Sequence, residues 1–137
     1  MATNYDGPRT HTLSAGTIAG QGMLLTNNST NNNLKATAAK TDLVKAVSAE
    51  ESQRDQDGLV AAGTVSAYAP GKVLMVASKA SKTYTYGAFV YNNGDGYSTS
   101  SSASSATVVG VYVGNGVTTG SADGDLIPVG TWCCATA

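Results

Sequence analysis

One stretch of this chain recurs 65 residues further on, and that recurrence constrains the fold more than any single residue. Gly22-Met23-Leu24-Leu25-Thr26-Asn27-Asn28 aligns with Gly87-Ala88-Phe89-Val90-Tyr91-Asn92-Asn93. Without a gap, Leu43-Val44-Lys45-Ala46-Val47 then aligns with Val108-Val109-Gly110-Val111-Tyr112. Each copy reads as glycine, short apolar strand, Asn-Asn turn, small polar stretch, second apolar strand. The match is one of residue class more than identity. Self-similarity at a fixed period is the mark of structural duplication. The chain is therefore read as an extended N-terminal arm, 1–15, and a single β-rich domain, 16–137, compatible with two repeats over 16–80 and 81–137.

Strand signals dominate the second half. Leu59–Val65, Lys72–Val76 and Thr83–Tyr86 are short apolar or β-branched runs broken by Ala69-Pro70-Gly71 and Ser78-Lys79. Gly/Asn/Asp turns follow at 92–96, 114–116 and 122–124. Strands at this spacing, separated by such turns, indicate a small β-barrel or sandwich. Alternation in Thr83-Tyr84-Thr85-Tyr86 predicts both tyrosines on one face. In the first half, Ile18–Thr26 is a strand candidate ended by an Asn-rich loop. Residues 34–47 are ambiguous: Ala and Lys favour helix, whereas the aligned later segment argues that 43–47 is a strand and 36–41 a connection. Residues 1–15 lack apolar periodicity and read as an extended segment, mobile or ordered on a partner.

Composition excludes several function classes. Only 12% of the 137 residues are charged and the net charge is -1, so the dense basic patch needed to bind phosphate backbones is missing. The 42% apolar content argues against a disordered chain. All eight Lys and Arg lie at or before Lys82, leaving Asp95, Asp123 and Asp125 as the only charges beyond it. Such a surface gives little electrostatic steering or self-repulsion, which suits a protein seated permanently against others. No run approaches the length of a membrane helix, and no secretory signal is visible after Met1, so synthesis in a cytoplasm is expected.

Catalytic constellations are absent from the sequence pattern, and no enzyme activity is expected. His11 is the sole histidine and has no Ser/Asp partner in a recognisable arrangement. Cys133 and Cys134 are adjacent and read as reduced thiols; with one histidine in the chain, zinc and other metals are not expected. The acidic run Glu50–Asp57 reads as a solvated loop. Asp95, Asp123 and Asp125 sit in turns that lack the ligand count of a calcium loop. Gly110–Gly116 lacks the lysine of a phosphate-binding loop. No cofactor is implied.

Three stretches together carry a resemblance. Ala15-Gly16 through Leu25, with its Ala-Gly-Gln-Gly and apolar strand, Thr107-Val108-Val109-Gly110-Val111-Tyr112-Val113, and Gly124-Asp125-Leu126-Ile127-Pro128-Val129-Gly130-Thr131 make the chain similar to the small decoration, or cement, proteins of tailed-bacteriophage heads. The likeness spans about 14–131; the acidic stretch at 50–57 and Trp132-Cys133-Cys134 depart from the family pattern. It implies a β-barrel-like virion protein that binds the outside of an assembled capsid, often as a trimer, and locks neighbouring major capsid proteins together. Neither nucleic acid nor membrane is an expected partner. An N-terminal arm could add a strand to a capsid sheet. The expected contact residues are Asn4, Tyr5, Pro8, Arg9, His11 and Leu13 in the arm, with Tyr84, Tyr86 and Tyr91 as aromatic anchors. Two other readings remain open: a carbohydrate- or receptor-binding β-module, and a self-assembling surface or tail subunit.

Overall fold

A computed structural model describes residues 7–13, 18, 20–28, 33–50 and 63–136, the last five of these for backbone only. The described residues contain strands and no helix: the protein is mainly β.

Five strands of the first half pair in the order β1 (Arg9–Thr12), β5 (Thr64–Tyr68), β4 (Ala46–Ser48), β2 (Leu24–Asn27), β3 (Leu34–Ala36). A single parallel bridge between Leu13 and Leu34 brings the two ends of that order together. The second half repeats this arrangement. There β6 (Val73–Ser78), β12 (Asp125–Thr136), β10 (Thr107–Tyr112), β8 (Phe89–Asn92) and β9 (Ser98–Thr99) form a closed barrel. It closes at a single parallel bridge, Ser78 to Ser98. A two-stranded ribbon, β7 (Thr83–Tyr84) with β11 (Val117–Thr118), flanks it.

The correspondence holds pair by pair. Arg9↔Ala67 and Thr12↔Thr64 match Leu74↔Val129 and Ala77↔Leu126. Leu24↔Val47 and Leu25↔Ala46 match Phe89↔Val111 and Val90↔Gly110. Asn27↔Leu34 matches Asn92↔Ser98, and Val47↔Tyr68 matches Val111↔Gly130. Loop bonds repeat as well: Gly22 N–H donates to Ser48 O and Gly87 N–H to Tyr112 O, while Asn28 N–H to Asn33 O matches Asn93 N–H to Tyr97 O.

Several expectations change here. The repeating unit begins at β1 and again at β6, so the units divide at Ala69-Pro70-Gly71 and not between 80 and 81, because β6 is the counterpart of β1. Part of the expected arm is a barrel strand, since β1 pairs along its length with β5 and Leu13 is buried at 2% exposure. The ungapped alignment slips by one residue after the first strand: Val47 corresponds to Val111, not to Tyr112. Within 34–47 both ends are strand and 37–45 is the connection. The 18–26 strand is confined to β2, and 59–62 lie outside the described residues.

Two clusters form the core. Leu13, Ile18, Met23, Leu25, Leu34, Ala46, Val65 and Ala67 fill the first barrel. Leu74, Val76, Tyr84, Val90, Val109, Tyr112, Ile127 and Val129 fill the second, and Leu24, Val44 and Val47 of the first unit belong to that same cluster. Period-2 alternation in β2 explains the sharing: Leu25 points into its own barrel and Leu24 into the neighbouring one.

Candidate interaction surface

The expected tyrosine pair is split by the backbone. β7 ends at Tyr84, and a turn over 85–87, with Ala88 N–H donating to Thr85 O, breaks the alternation. Tyr84 is 1% exposed; its ring lies 5.5 Å from that of Tyr112, and its hydroxyl is 2.6 Å from Ser78 Oγ. Burial pushes the Tyr84 phenol above its usual range, with the Ser78 hydrogen bond opposing. Tyr84 is therefore a core residue and not a contact, as is Leu13. Tyr86, by contrast, is 76% exposed. Tyr91 is half-buried and meets the exposed Phe89 ring edge-on at 6.5 Å. Phe89, absent from the expected contacts, is the more exposed ring of that pair, and it shares with Tyr91 the face of β8 opposite buried Val90.

Pro8, Arg9 and His11 are exposed, and all four side chains of β1 face solvent. Asn4 and Tyr5 lie outside the described residues. Arg9 and His11 line a cavity of about 340 Å³ at the mouth of the first barrel, with Asn27, Leu34, Lys45, Ala46 and Ala67. In the second barrel the counterparts of Arg9, His11 and Lys45 are Leu74, Val76 and Val109, all buried.

The aspartates of the second half have structural partners. Lys79 Nζ lies 3.0 Å from Asp95 and 2.9 Å from Asp123, tying two turns together. Asp123 also accepts the Ala80 N–H, and Asp125 accepts the Gly120 N–H. The Lys79 ammonium hydrogen bond, followed by the Ala80 N–H, holds the Asp123 carboxyl below the usual range; hydrogen bonds to Asp123 and then Asp95 raise Lys79. Among the described residues no cluster of His, Cys, Asp or Glu could hold a metal ion, and no helix is long and apolar enough to cross a membrane. A further cleft along Tyr112, Asn115, Thr119 and Pro128 has Asp125 as its one carboxylate, already engaged by Gly120. Glu51 to Asp57 of the acidic run lie outside the described residues, as do the Cys133 and Cys134 side chains.

No protein-family model matches this chain, and no curated protein matches it.

Proposed function

We propose that this protein is a structural virion component that binds the outside of an assembled phage head and stabilises contacts between major capsid proteins. One observation carries the reading. Apart from Leu43, every large apolar side chain exposed among the described residues lies on the second unit: Val73, Met75, Tyr86, Phe89, Val117 and Leu126. That unit has no basic residue beyond Lys82. Apolar and aromatic side chains on a rigid, nearly uncharged β-body favour a lasting protein contact over a steered, transient one. Repetition of the contact over a lattice adds avidity without new side-chain chemistry.

The test is co-sedimentation of the purified chain with undecorated phage heads, beside the Val73→Glu variant. Val73 is 60% exposed, so the charge leaves the core intact. Saturable binding at a fixed ratio to the major capsid protein, weakened by Val73→Glu, is expected. Failure to bind heads, with capture on a glycan array, would favour a receptor-binding module instead; filaments or sheets of the protein alone, without head binding, would favour a surface or tail subunit.

A further inference from the structure

Within the chain the two units meet through different surfaces of the same repeated structure. The first unit inserts Gly22–Leu24 along the open edge of β6: Ala77 N–H donates to Gly22 O and Leu24 N–H to Gly96 O, both at 2.8 Å. Its 37–42 loop embraces Asn92, which accepts from Thr37 Oγ1 and donates to Ala39 O and Asp42 O. Leu24 ends fully buried in the second barrel's cluster. Because the inserting and receiving surfaces differ, the contact is heterologous. Among the described residues, each unit then has one of the two surfaces engaged and the counterpart of the other left over.

Both leftover surfaces are built for the same contact. Gly87 is the counterpart of Gly22, and the two share a left-handed backbone at φ 85° and 86°. Phe89, counterpart of the buried Leu24, is 53% exposed. Ser101 and Ala103 stand where the first unit has Thr37 and Ala39, preserving the hydroxyl and the small residue. On the receiving side, Asn27 stands where the second unit has Asn92. Thr12 is the counterpart of Ala77; Leu13 N–H donates to Gly63 O on the β5 side, so strand alternation turns the Thr12 N–H toward the opposite edge. Beside that edge opens the 340 Å³ cavity, with Leu34, Ala46 and Ala67 among its walls. Ala67 replaces the larger Val129 of the second barrel, which leaves room for a ring larger than leucine's side chain.

We propose that a second copy of this chain docks head to tail on the first, its Gly87–Phe89 segment entering the first-barrel cavity as Gly22–Leu24 enters the second barrel within the chain. Phe89 inserts beside Leu34, Ala46 and Ala67. Thr12 N–H donates to Gly87 O of the incoming copy. Successive copies close into a ring if the rotation between units permits, and otherwise extend into a filament. The contact needs no capsid, so it stands or falls separately from head binding.

The experiment is sedimentation velocity of the full chain over a range of concentrations, without phage heads. Species larger than the monomer, growing with concentration, are expected. Phe89→Asp, at an exposed position, and Thr12→Pro, which removes the outward N–H, should each weaken association at least about tenfold. Circular dichroism checks that both retain the wild-type fold. Phe89→Asp keeps an intact cavity and Thr12→Pro an intact inserting segment, so an equimolar mixture should form a 1:1 dimer and nothing larger. A wild type that stays monomeric throughout, a Phe89→Asp variant that assembles like wild type, or a folded mixture that does not pair would overturn the proposal.

Discussion

Gly22 and Gly87 occupy the same position in the two units with the same backbone, yet only one of them is covered. A Cβ on Gly22 would lie 2.7 Å from both the Ala77 nitrogen and Leu126 Cδ2, whereas a Cβ on Gly87 would meet nothing within 4 Å. The same local sequence solution, a glycine turning in the left-handed region before a strand, is a packed joint in one place and an open surface in the other.

That difference separates two otherwise identical substitutions. Gly87→Ala should destabilise the dilute chain by about 1–2 kcal/mol, the cost of a left-handed non-glycine residue. Gly22→Ala carries that cost and must also displace the β6 backbone, for a total of roughly 3 kcal/mol or more. Urea unfolding of both variants gives the comparison; equal losses would mean that the Gly22 joint does not hold the units together.

Asn92 is 1% exposed, and its amide receives N–H from Gly94 as well as the Thr37 hydroxyl while donating to two carbonyls of the 37–42 loop. Asn92→Ala leaves buried donors and acceptors without partners, each worth about 1–3 kcal/mol. We expect a loss of about 3 kcal/mol in denaturant unfolding, accompanied by faster amide exchange in residues 37–42. Unchanged exchange there would show that the loop is held by other contacts.

The Asp123–Lys79 pair predicts a pH dependence of defined sign. The folded Asp123 carboxyl lies below its usual value of 3.8, so its contribution is present above that value and is lost as pH falls through the lower folded value. Asp123→Asn should therefore be less stable than wild type near neutrality, and the two should converge in acid once the folded Asp123 carboxyl is protonated. At the alkaline end the sign reverses. Lys79 is raised above 10.5, so its contribution is complete below that value and fades as pH climbs through the folded value. Thermal unfolding across the acid range measures the first effect, and a gap that does not narrow as pH falls below 3.8 would contradict it.

Two buried threonines offer a matched pair. Thr107 Oγ1 is buried without a hydrogen-bond partner among the described residues, whereas Thr119 Oγ1 donates to Lys79 O and accepts the Lys82 N–H. Thr107→Val should be neutral or stabilising by about 1 kcal/mol, and Thr119→Val should cost about 2 kcal/mol. A loss at Thr107 comparable to that at Thr119 in chemical denaturation would refute the contrast.

Much of this was legible in residue order. The glycine before an apolar strand, the Asn-Asn turn after it and the β-branched second strand identified the recurrence; β8 and β10 fall in its aligned segments, and β6 starts in its expected run but continues through Ser78, where a break was expected. The one-residue slip was not visible, because Val108–Tyr112 is apolar throughout and gives no period-2 signal to fix its register. β1 was missed for a related reason. Arg9, Thr10, His11 and Thr12 are all exposed, so no alternation marks them as a strand; pairing with β5 makes them one. Tyr84 and Tyr86 were placed on one face by assuming an unbroken strand, and the turn at 85–87 sends one inward and the other out.

Residue order alone dictates a β-rich, weakly charged chain with one supersecondary pattern written twice, because composition, turn residues and strand propensity act locally. What each copy's surface does follows from how the two units pack. Leu24 and Phe89 hold the same place in the same local pattern, yet Leu24 lies inside a neighbouring barrel and Phe89 faces solvent. Burial depends on which surface another unit covers, and a head-to-tail joint covers a surface on one copy while leaving its counterpart exposed on the other.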